Sequence, residues 1–151
     1  DKAAQAGDPT RYPMPRSKPG ENPYNMSFSG LKTAALNTIH HAEQVGEQID
    51  IPGLCASFCA AVSDNLVPRV VMALKETGHK KLAVAGGVAA NSVIRRDILA
   101  APEQLGVQVD LPPLRLCGDN AAMIGSAAYY RLLRGEAADL TLNAQPSLRL
   151  V

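Results

Sequence analysis

The chain has 151 residues, of which 46% are apolar and 19% charged, and its formal net charge is +1. This length is enough for one domain with a hydrophobic core, and the balanced charge excludes a disordered acidic or basic tail and a strongly cationic nucleic-acid binder. No uninterrupted apolar run approaches the roughly 18 residues of a membrane span, and no apolar signal segment opens the chain. We therefore expect a cytoplasmic protein without a membrane partner.

The N-terminal part of the chain is rich in proline. Five of the eleven prolines lie within residues 1–24, so we expect a loop-rich segment there. Residues 25–29 alternate apolar and polar side chains, which predicts a short strand. Gly30 then separates this strand from a helix that begins at Leu31.

Two further elements are predicted in the middle of the chain. Apolar residues recur at helical spacing from about Ile51 to Glu76, and Pro68 is expected to kink or divide this helix. Residues 81–85 form a short apolar run that predicts a buried strand, and the pattern from Val88 onward predicts a helix.

A second strand and a last helix complete the pattern. Residues 107–111 alternate as a strand, and a helix is predicted over residues 119–134, with Gly135 ending it. Because strands alternate with helices, the sequence predicts an α/β layer with parallel strands. Residues 25–80 are thus expected to hold a strand and helices, and residues 81–151 a βαβα segment.

A pair of glycines lies between the first buried strand and its helix. Gly86 and Gly87 let the backbone approach a flat ligand, and the helix that follows offers free N–H groups to polar atoms. The Asn91 amide is able to donate or accept a hydrogen bond with such a ligand. The alternative is a turn that only packs the helix on the sheet.

Asp119 stands at the start of the predicted last helix. As a carboxylate after a strand and loop, it occupies a position where α/β folds place metal and phosphate chemistry. The structural alternative is that Asp119 caps the helix, a role that Asp and Asn fill well.

Cysteine and histidine give no further site. Cys55, Cys59 and Cys117 have neither zinc-ribbon nor Cys-x-x-Cys spacing, and they are expected to be reduced and mostly buried. His40 and His41 are adjacent, so they cannot act as the i, i+4 pair that a metal would use on a helix.

Three segments taken together resemble one known family. They are residues 25–34 (NMSFSGLKTA), 82–92 (LAVAGGVAANS) and 117–124 (CGDNAAMI). In this order and spacing they are similar to the C-terminal half of the TsaD family, the tRNA threonylcarbamoyladenosine transferases, formerly called Gcp or O-sialoglycoprotein endopeptidases. The resemblance extends over almost the whole chain.

The resemblance implies both a fold and a reaction. The fold would be the C-terminal part of an actin-like (ASKHA, ribonuclease-H-like) two-lobe structure, with residues 1–151 as a C-terminal lobe segment and the N-terminal lobe outside this chain. The reaction would transfer a threonylcarbamoyl group from threonylcarbamoyl-AMP to the exocyclic amine of the adenosine next to the anticodon, in tRNAs reading codons that begin with A. This chain alone is expected to be inactive.

The resemblance also assigns site residues. Gly86 and Gly87 correspond to an adenosine-binding turn, Asn91 to a substrate-contacting asparagine, and Asp119 to a metal ligand. Asp1 corresponds to an acidic residue that contacts the substrate. The metal implied is one divalent ion, iron or alternatively zinc.

The sequence departs from the family pattern at the metal site. Gly118 stands where family members commonly have Thr or Ser, which removes one hydroxyl near the metal carboxylate. The His-x-x-x-His ligands of the family are absent from this sequence, and one aspartate does not hold a divalent ion. The metal site is therefore expected to be incomplete in this chain.

The resemblance implies three macromolecular partners: tRNA, a paralogous TsaB-like scaffold subunit and a small TsaE-like ATPase. Two alternative functions share part of the pattern. One is an inactive paralogue that serves as a scaffold in the same complex, and the other is an ATP-binding kinase of the ASKHA superfamily. Asn91 and Asp119 argue against the scaffold, and the segments at residues 27–32 and 117–123 argue against the kinase.

Overall fold

The longer elements of the chain are helices. In a computed structural model they are α1 (Ser29–Val45), α2 (Ile51–Thr77), α3 (Ser92–Glu103) and α4 (Ala121–Leu133), with strands β1 (Lys81–Ala83) and β2 (Gln108–Asp110). Short 3-10 helices cover Ala4–Ala6, Gly87–Ala90 and Leu114–Leu116. The described residues are 1–17, 21–103 and 105–147. Residues 18–20 of the predicted loop-rich segment and residues 148–151 of the predicted C-terminal segment lie outside them, as does residue 104.

The chain forms two units, Asp1–Gly118 and Asp119–Val151. The first contains β1, β2 and helices α1 to α3, and the second contains α4. Within the described residues the protein is therefore mostly helical, with a small parallel sheet in the first unit.

The two strands pair in parallel, as the sequence predicts. Leu82 lies opposite Val109 in the register, and the N–H of Val84 donates to Asp110 O at 3.0 Å just beyond the strand. Parallel neighbours need a crossover connection, which α3 provides here. Each strand has only three residues, so the predicted α/β layer is present in a reduced form. The strand predicted as buried at residues 81–85 is not buried: Lys81 and Ala83 of β1 are exposed and Leu82 is half-buried, because both strands of this two-stranded sheet are edge strands.

The predicted strand at residues 25–29 is wrong. Helix α1 already begins at Ser29, and the Lys32 N–H donates to Phe28 O at 3.0 Å in its first turn. The carbonyl of Asn25 accepts from Arg69 Nε at 3.0 Å instead of from a neighbouring strand. A five-residue alternation specifies a strand only where a partner strand is available, and here the Arg69 side chain bonds the backbone instead.

Helix α2 is the central helix of the first unit. The Asp50 side chain caps it by accepting from the Gly53 N–H at 3.1 Å, and Gly78, with φ 69°, ends it. Pro68 lies inside α2, which continues to Thr77, so of the two predicted outcomes, a kink or a division into two helices, the division is excluded. Leu54 and Ala61 of α2 pack with residues from α1 and the N-terminal segment in the core.

Length and composition alone would allow α2 to cross a membrane. Its buried positions, however, include the polar side chains of Ser57, Ser63, Asn65 and Arg69. Each of these side chains makes hydrogen bonds to other parts of the first unit or to α2 itself. Such pairing is typical of a core helix, and the α2 surface is used for packing within the unit.

Polar side chains of α2 also hold the N-terminal segment in place. The Tyr12 N–H donates to Ser57 Oγ at 3.1 Å, and the Ser17 N–H donates to Asn65 Oδ1 at 2.5 Å. The Arg69 guanidinium donates to Ser17 O at 3.2 Å. The segment therefore follows α2 without regular structure of its own, and this course brings the start of the chain to the start of α3.

Candidate functional site

The turn between β1 and α3 is built around Gly86. Its φ of 95° and ψ of 165° lie in a region that essentially only glycine adopts. The next residues form the 3-10 helix Gly87–Ala90, and the extended backbone of Asn91 separates this from α3. The helix predicted from Val88 therefore begins four residues later, at Ser92.

The Asn91 side chain caps α3. Its Oδ1 accepts from the N–H groups of Val93 and Ile94, both at 3.1 Å. Its Nδ2 donates to Cys59 Sγ on α2 at 3.4 Å. Cys59 is the one partner of Nδ2 in the described part of the chain, and because an amide nitrogen carries two hydrogens, the second remains for a ligand. The planar amide of Asn91 thus has two roles: its oxygen caps α3, and its nitrogen is placed to donate a hydrogen bond to a ligand.

The carboxylate of Asp1 meets the same helix end. Asp1 Oδ1 accepts from Ser92 N at 3.0 Å and from Ser92 Oγ at 2.6 Å, across 91 positions of sequence. Asp1 and Asn91, which the sequence suggests separately, are therefore neighbours around Ser92. The sequence alone assigns no role to Ser92, although its place directly after Asn91 is a signal that points to it.

A cavity of about 320 Å³ lies beside the glycine turn. One wall comes from Phe58, Cys59 and Val62 of α2, and the other wall comes from Gly87, Val88, Asn91 and Ile94. The apolar side chains of α2 thus lie across the cavity from the backbone of the glycine turn and from the Asn91 side-chain amide. This arrangement suits a flat, largely apolar ring with polar groups at its edge.

A second cavity, of about 510 Å³, lies on the side of α3 that carries Ser92 and Asp97. Burial acts to raise the pKa of Asp97, but hydrogen bonds from Arg96 and Ser63 outweigh it and hold the pKa below its usual value. The Ser63 Oγ donates to Asp97 Oδ2 at 2.6 Å. Asp97 is therefore a paired, ionised link between α2 and α3, which does not suit a general base.

Asp119 lies in the second unit, just before α4, and is exposed. Helix α4 begins at Ala121, and its cap is Asn120, whose Oδ1 accepts from the Met123 N–H at 3.1 Å. The capping role considered for Asp119 thus belongs to its neighbour. Gly135, with φ 75°, follows α4 as predicted.

The described residues form neither a disulfide nor a cluster of metal ligands. Cys55, Cys59 and Cys117 are free thiols; Cys117 is buried, whereas Cys55 and Cys59 are half-buried. Across residues 1–17, 21–103 and 105–147, no group of three or more His, Cys, Asp or Glu side chains could hold a metal ion.

Comparisons with known proteins identify relatives of the whole chain. A family sequence model described as "TsaD: tRNA N6-adenosine threonylcarbamoyltransferase" matches residues 1–126. The tRNA N6-adenosine threonylcarbamoyltransferase of Moorella thermoacetica is 49% identical over 150 residues, which are 99% of this chain and 44% of the relative. The protein of the same name from Latilactobacillus sakei is also 49% identical, over 98% of this chain and 43% of the relative.

A third relative of that name, from Streptococcus equi subsp. equi, is 48% identical over 148 residues, again 98% of this chain and 43% of the relative. The chain thus spans less than half the length of these relatives. Because the family model matches most of the chain and the identity extends over nearly all of it, the chain belongs to the TsaD family of tRNA N6-adenosine threonylcarbamoyltransferases.

Proposed function

We propose that the chain supplies the donor-nucleotide site of a tRNA N6-adenosine threonylcarbamoyltransferase. In this proposal residues 1–151 are a C-terminal lobe segment of an actin-like, ribonuclease-H-like two-lobe fold, with residues 1–24 as its first loop. The donor is threonylcarbamoyl-AMP, and the acceptor is the adenosine next to the anticodon in tRNAs reading codons that begin with A. The observation that carries the proposal is the convergence of Asp1 and Asn91 at the Gly86–Gly87 turn.

The cavity beside this turn is the proposed place for the adenosine of the donor. Apolar side chains of α2 would contact one face of the purine, and the backbone at Gly87 would contact the other. Among the residues that the structure describes, a Cβ built on Gly87 has nothing within 4 Å, so packing against them does not require a glycine there. A ligand that approaches the backbone closely at this position would explain why residue 87 is a glycine.

The polar residues then have distinct roles. The remaining Nδ2 hydrogen of Asn91 donates to the nucleotide, and the carboxylate of Asp1 accepts from a hydroxyl of the donor. With the AMP portion held, the adenosine amine attacks the threonylcarbamoyl carbonyl carbon. The new C–N bond forms as the bond to the AMP phosphate oxygen breaks; AMP leaves, and the amine loses a proton to solvent.

The adenosine site is tested in a chimera in which this chain replaces the matching part of the Moorella thermoacetica transferase. We expect Gly87→Ala to raise the KM for threonylcarbamoyl-AMP about tenfold or more, because the new Cβ occupies the ligand's place, and to leave unfolding by urea unchanged. Gly86→Ala should also destabilise the protein by about 1–3 kcal/mol, because alanine is strained at this φ and ψ.

The outcome for the unmodified chimera decides the proposed function. Transfer to tRNA supports it, whereas phosphorylation of a small acceptor would support the kinase alternative, and binding without transfer would support the scaffold alternative. A wild-type KM in Gly87→Ala would contradict the placement of the nucleotide at this turn.

The metal that the family implies is not accommodated by the described residues alone. Asp119 offers one carboxylate, and three or more protein ligands are needed for useful affinity. We propose Asp119 as one ligand of a divalent ion, iron or alternatively zinc, whose other ligands lie outside the described residues.

Removal of the Asp119 carboxylate is expected to release the metal from the chimera. Asp119→Ala should lower the bound metal, measured by elemental analysis of the purified protein, to below about a tenth of an equivalent, since one lost ligand weakens a small site strongly. Asp139→Ala, an exposed aspartate of the same unit, is the control and should keep the metal. Equal metal content in both variants would rule out the assignment.

Partners and location follow from the same proposal. The chain would work in the cytoplasm with tRNA, a TsaB-like paralogous scaffold and a small TsaE-like ATPase. The net charge of +1 offers little attraction for tRNA phosphates, so most of the tRNA affinity would come from the assembled complex.

A further inference from the structure

We propose that Ser92 is a positioning residue that fixes Asp1 beside Asn91, and that it acts on the reaction only through Asp1. The inference rests on the proposed function, since both neighbours belong to the proposed donor site. Its basis is the double hydrogen bond from Ser92 N at 3.0 Å and Ser92 Oγ at 2.6 Å to one oxygen, Asp1 Oδ1.

The first turn of α3 divides its donors between two side chains. The Ser92 N–H bonds to Asp1, whereas the N–H groups of Val93 and Ile94 bond to Asn91 Oδ1. The two proposed substrate residues are thus held by consecutive peptide groups of one helix. A helix is stiffer than the loop that carries Asp1, so their separation is set by α3.

Asp1 needs this support because it is exposed and lies outside regular structure. Within the described residues its carboxylate has no hydrogen-bond partner other than Ser92. With Oδ1 engaged twice, Oδ2 is the oxygen that remains for a hydroxyl of the donor. Without Ser92 Oγ the Asp1 carboxylate keeps only the hydrogen bond from Ser92 N and rotates more freely. Binding of the donor must then order this carboxylate, which weakens the affinity for the donor.

The test measures KM and kcat separately for threonylcarbamoyl-AMP in the chimera. We expect Ser92→Ala to raise KM about tenfold with little change in kcat, the size of a lost hydrogen bond to a charged group. Ser92→Thr keeps the hydroxyl and should restore KM to within about twofold. A helix-capping role alone would instead lower the folded fraction, and hence the apparent kcat, at unchanged KM.

The chain offers a matched control. Thr10 donates from N at 2.8 Å and from Oγ1 at 2.7 Å to Asp8 Oδ1, which is the same pattern away from the donor cavity. Thr10→Ala should leave both constants unchanged.

A double variant tests whether Ser92 acts through Asp1. In an Asp1→Ala background, Ser92→Ala should cause no further rise in KM, because the acceptor of both bonds is already gone. Additive effects of the two substitutions, or a wild-type KM in folded Ser92→Ala, would overturn the inference. An inactive unmodified chimera would instead overturn the proposed function, so the two failures are distinguishable.

Discussion

Replacement of Asn91 by serine is expected to reduce threonylcarbamoyl transfer by the chimera about 100-fold while leaving its stability unchanged. A serine hydroxyl accepts the hydrogen bonds of the α3 N-terminus about as well as asparagine does, so the cap is kept. The Nδ2 donor is lost, and with it the proposed contact to the nucleotide. Transfer is measured with purified tRNA, and stability is measured by urea unfolding.

Asn91→Ala separates the two functions of this side chain. It removes both the cap and the donor, so we expect the same loss of transfer together with a loss of about 1 kcal/mol in the free energy of unfolding. If Asn91→Ser transfers at the wild-type rate and only Asn91→Ala is impaired, then Asn91 is a helix cap and its role in substrate binding is disproved.

Gly7→Ala is expected to destabilise the protein by about 2–4 kcal/mol, the largest effect on folding that we predict. A Cβ on Gly7 would overlap Pro52 O and lie 2.7 Å from Gly53 N. Both are backbone atoms at the start of α2, which cannot move aside as a flexible side chain would. The 3-10 helix Ala4–Ala6 would have to leave α2, and urea unfolding measures the loss.

Gly30→Ala provides the comparison for Gly7. A Cβ on Gly30, which lies in α1, would have no atom of residues 1–17, 21–103 or 105–147 within 4 Å. Because alanine favours helix more than glycine does, this variant should be more stable by about 0.5–1 kcal/mol. If Gly7→Ala unfolds at the same urea concentration as Gly30→Ala, the close contact of the N-terminal segment with α2 is incorrect.

Gly7→Ala should also weaken donor binding at the proposed site. Asp1 and the 3-10 helix belong to one short segment, so displacement of this segment would withdraw the carboxylate from Ser92. The folded fraction of Gly7→Ala is therefore expected to show a raised KM for threonylcarbamoyl-AMP.

Much of the local structure could be predicted from the sequence. The apolar run at residues 81–85 and the alternation at residues 107–111 contain the two strands, which pair in parallel as predicted. The strand predicted at residues 25–29 is wrong, because the Asn25 carbonyl accepts from the distant Arg69 side chain and helix α1 already begins at Ser29. At Pro68 only the alternative of two separate helices is wrong, because α2 continues through the proline to Thr77.

The sequence by itself determined the family, the helical periods and the residues that carry the candidate chemistry, since these depend on residue type and on spacing along the chain. Only the tertiary structure placed Asp1 against Ser92, across 91 positions, and gave the capping role before α4 to Asn120 instead of Asp119. Local spacing does not specify such contacts, because they depend on how α2 directs the N-terminal segment and on which side-chain oxygen reaches a free N–H group.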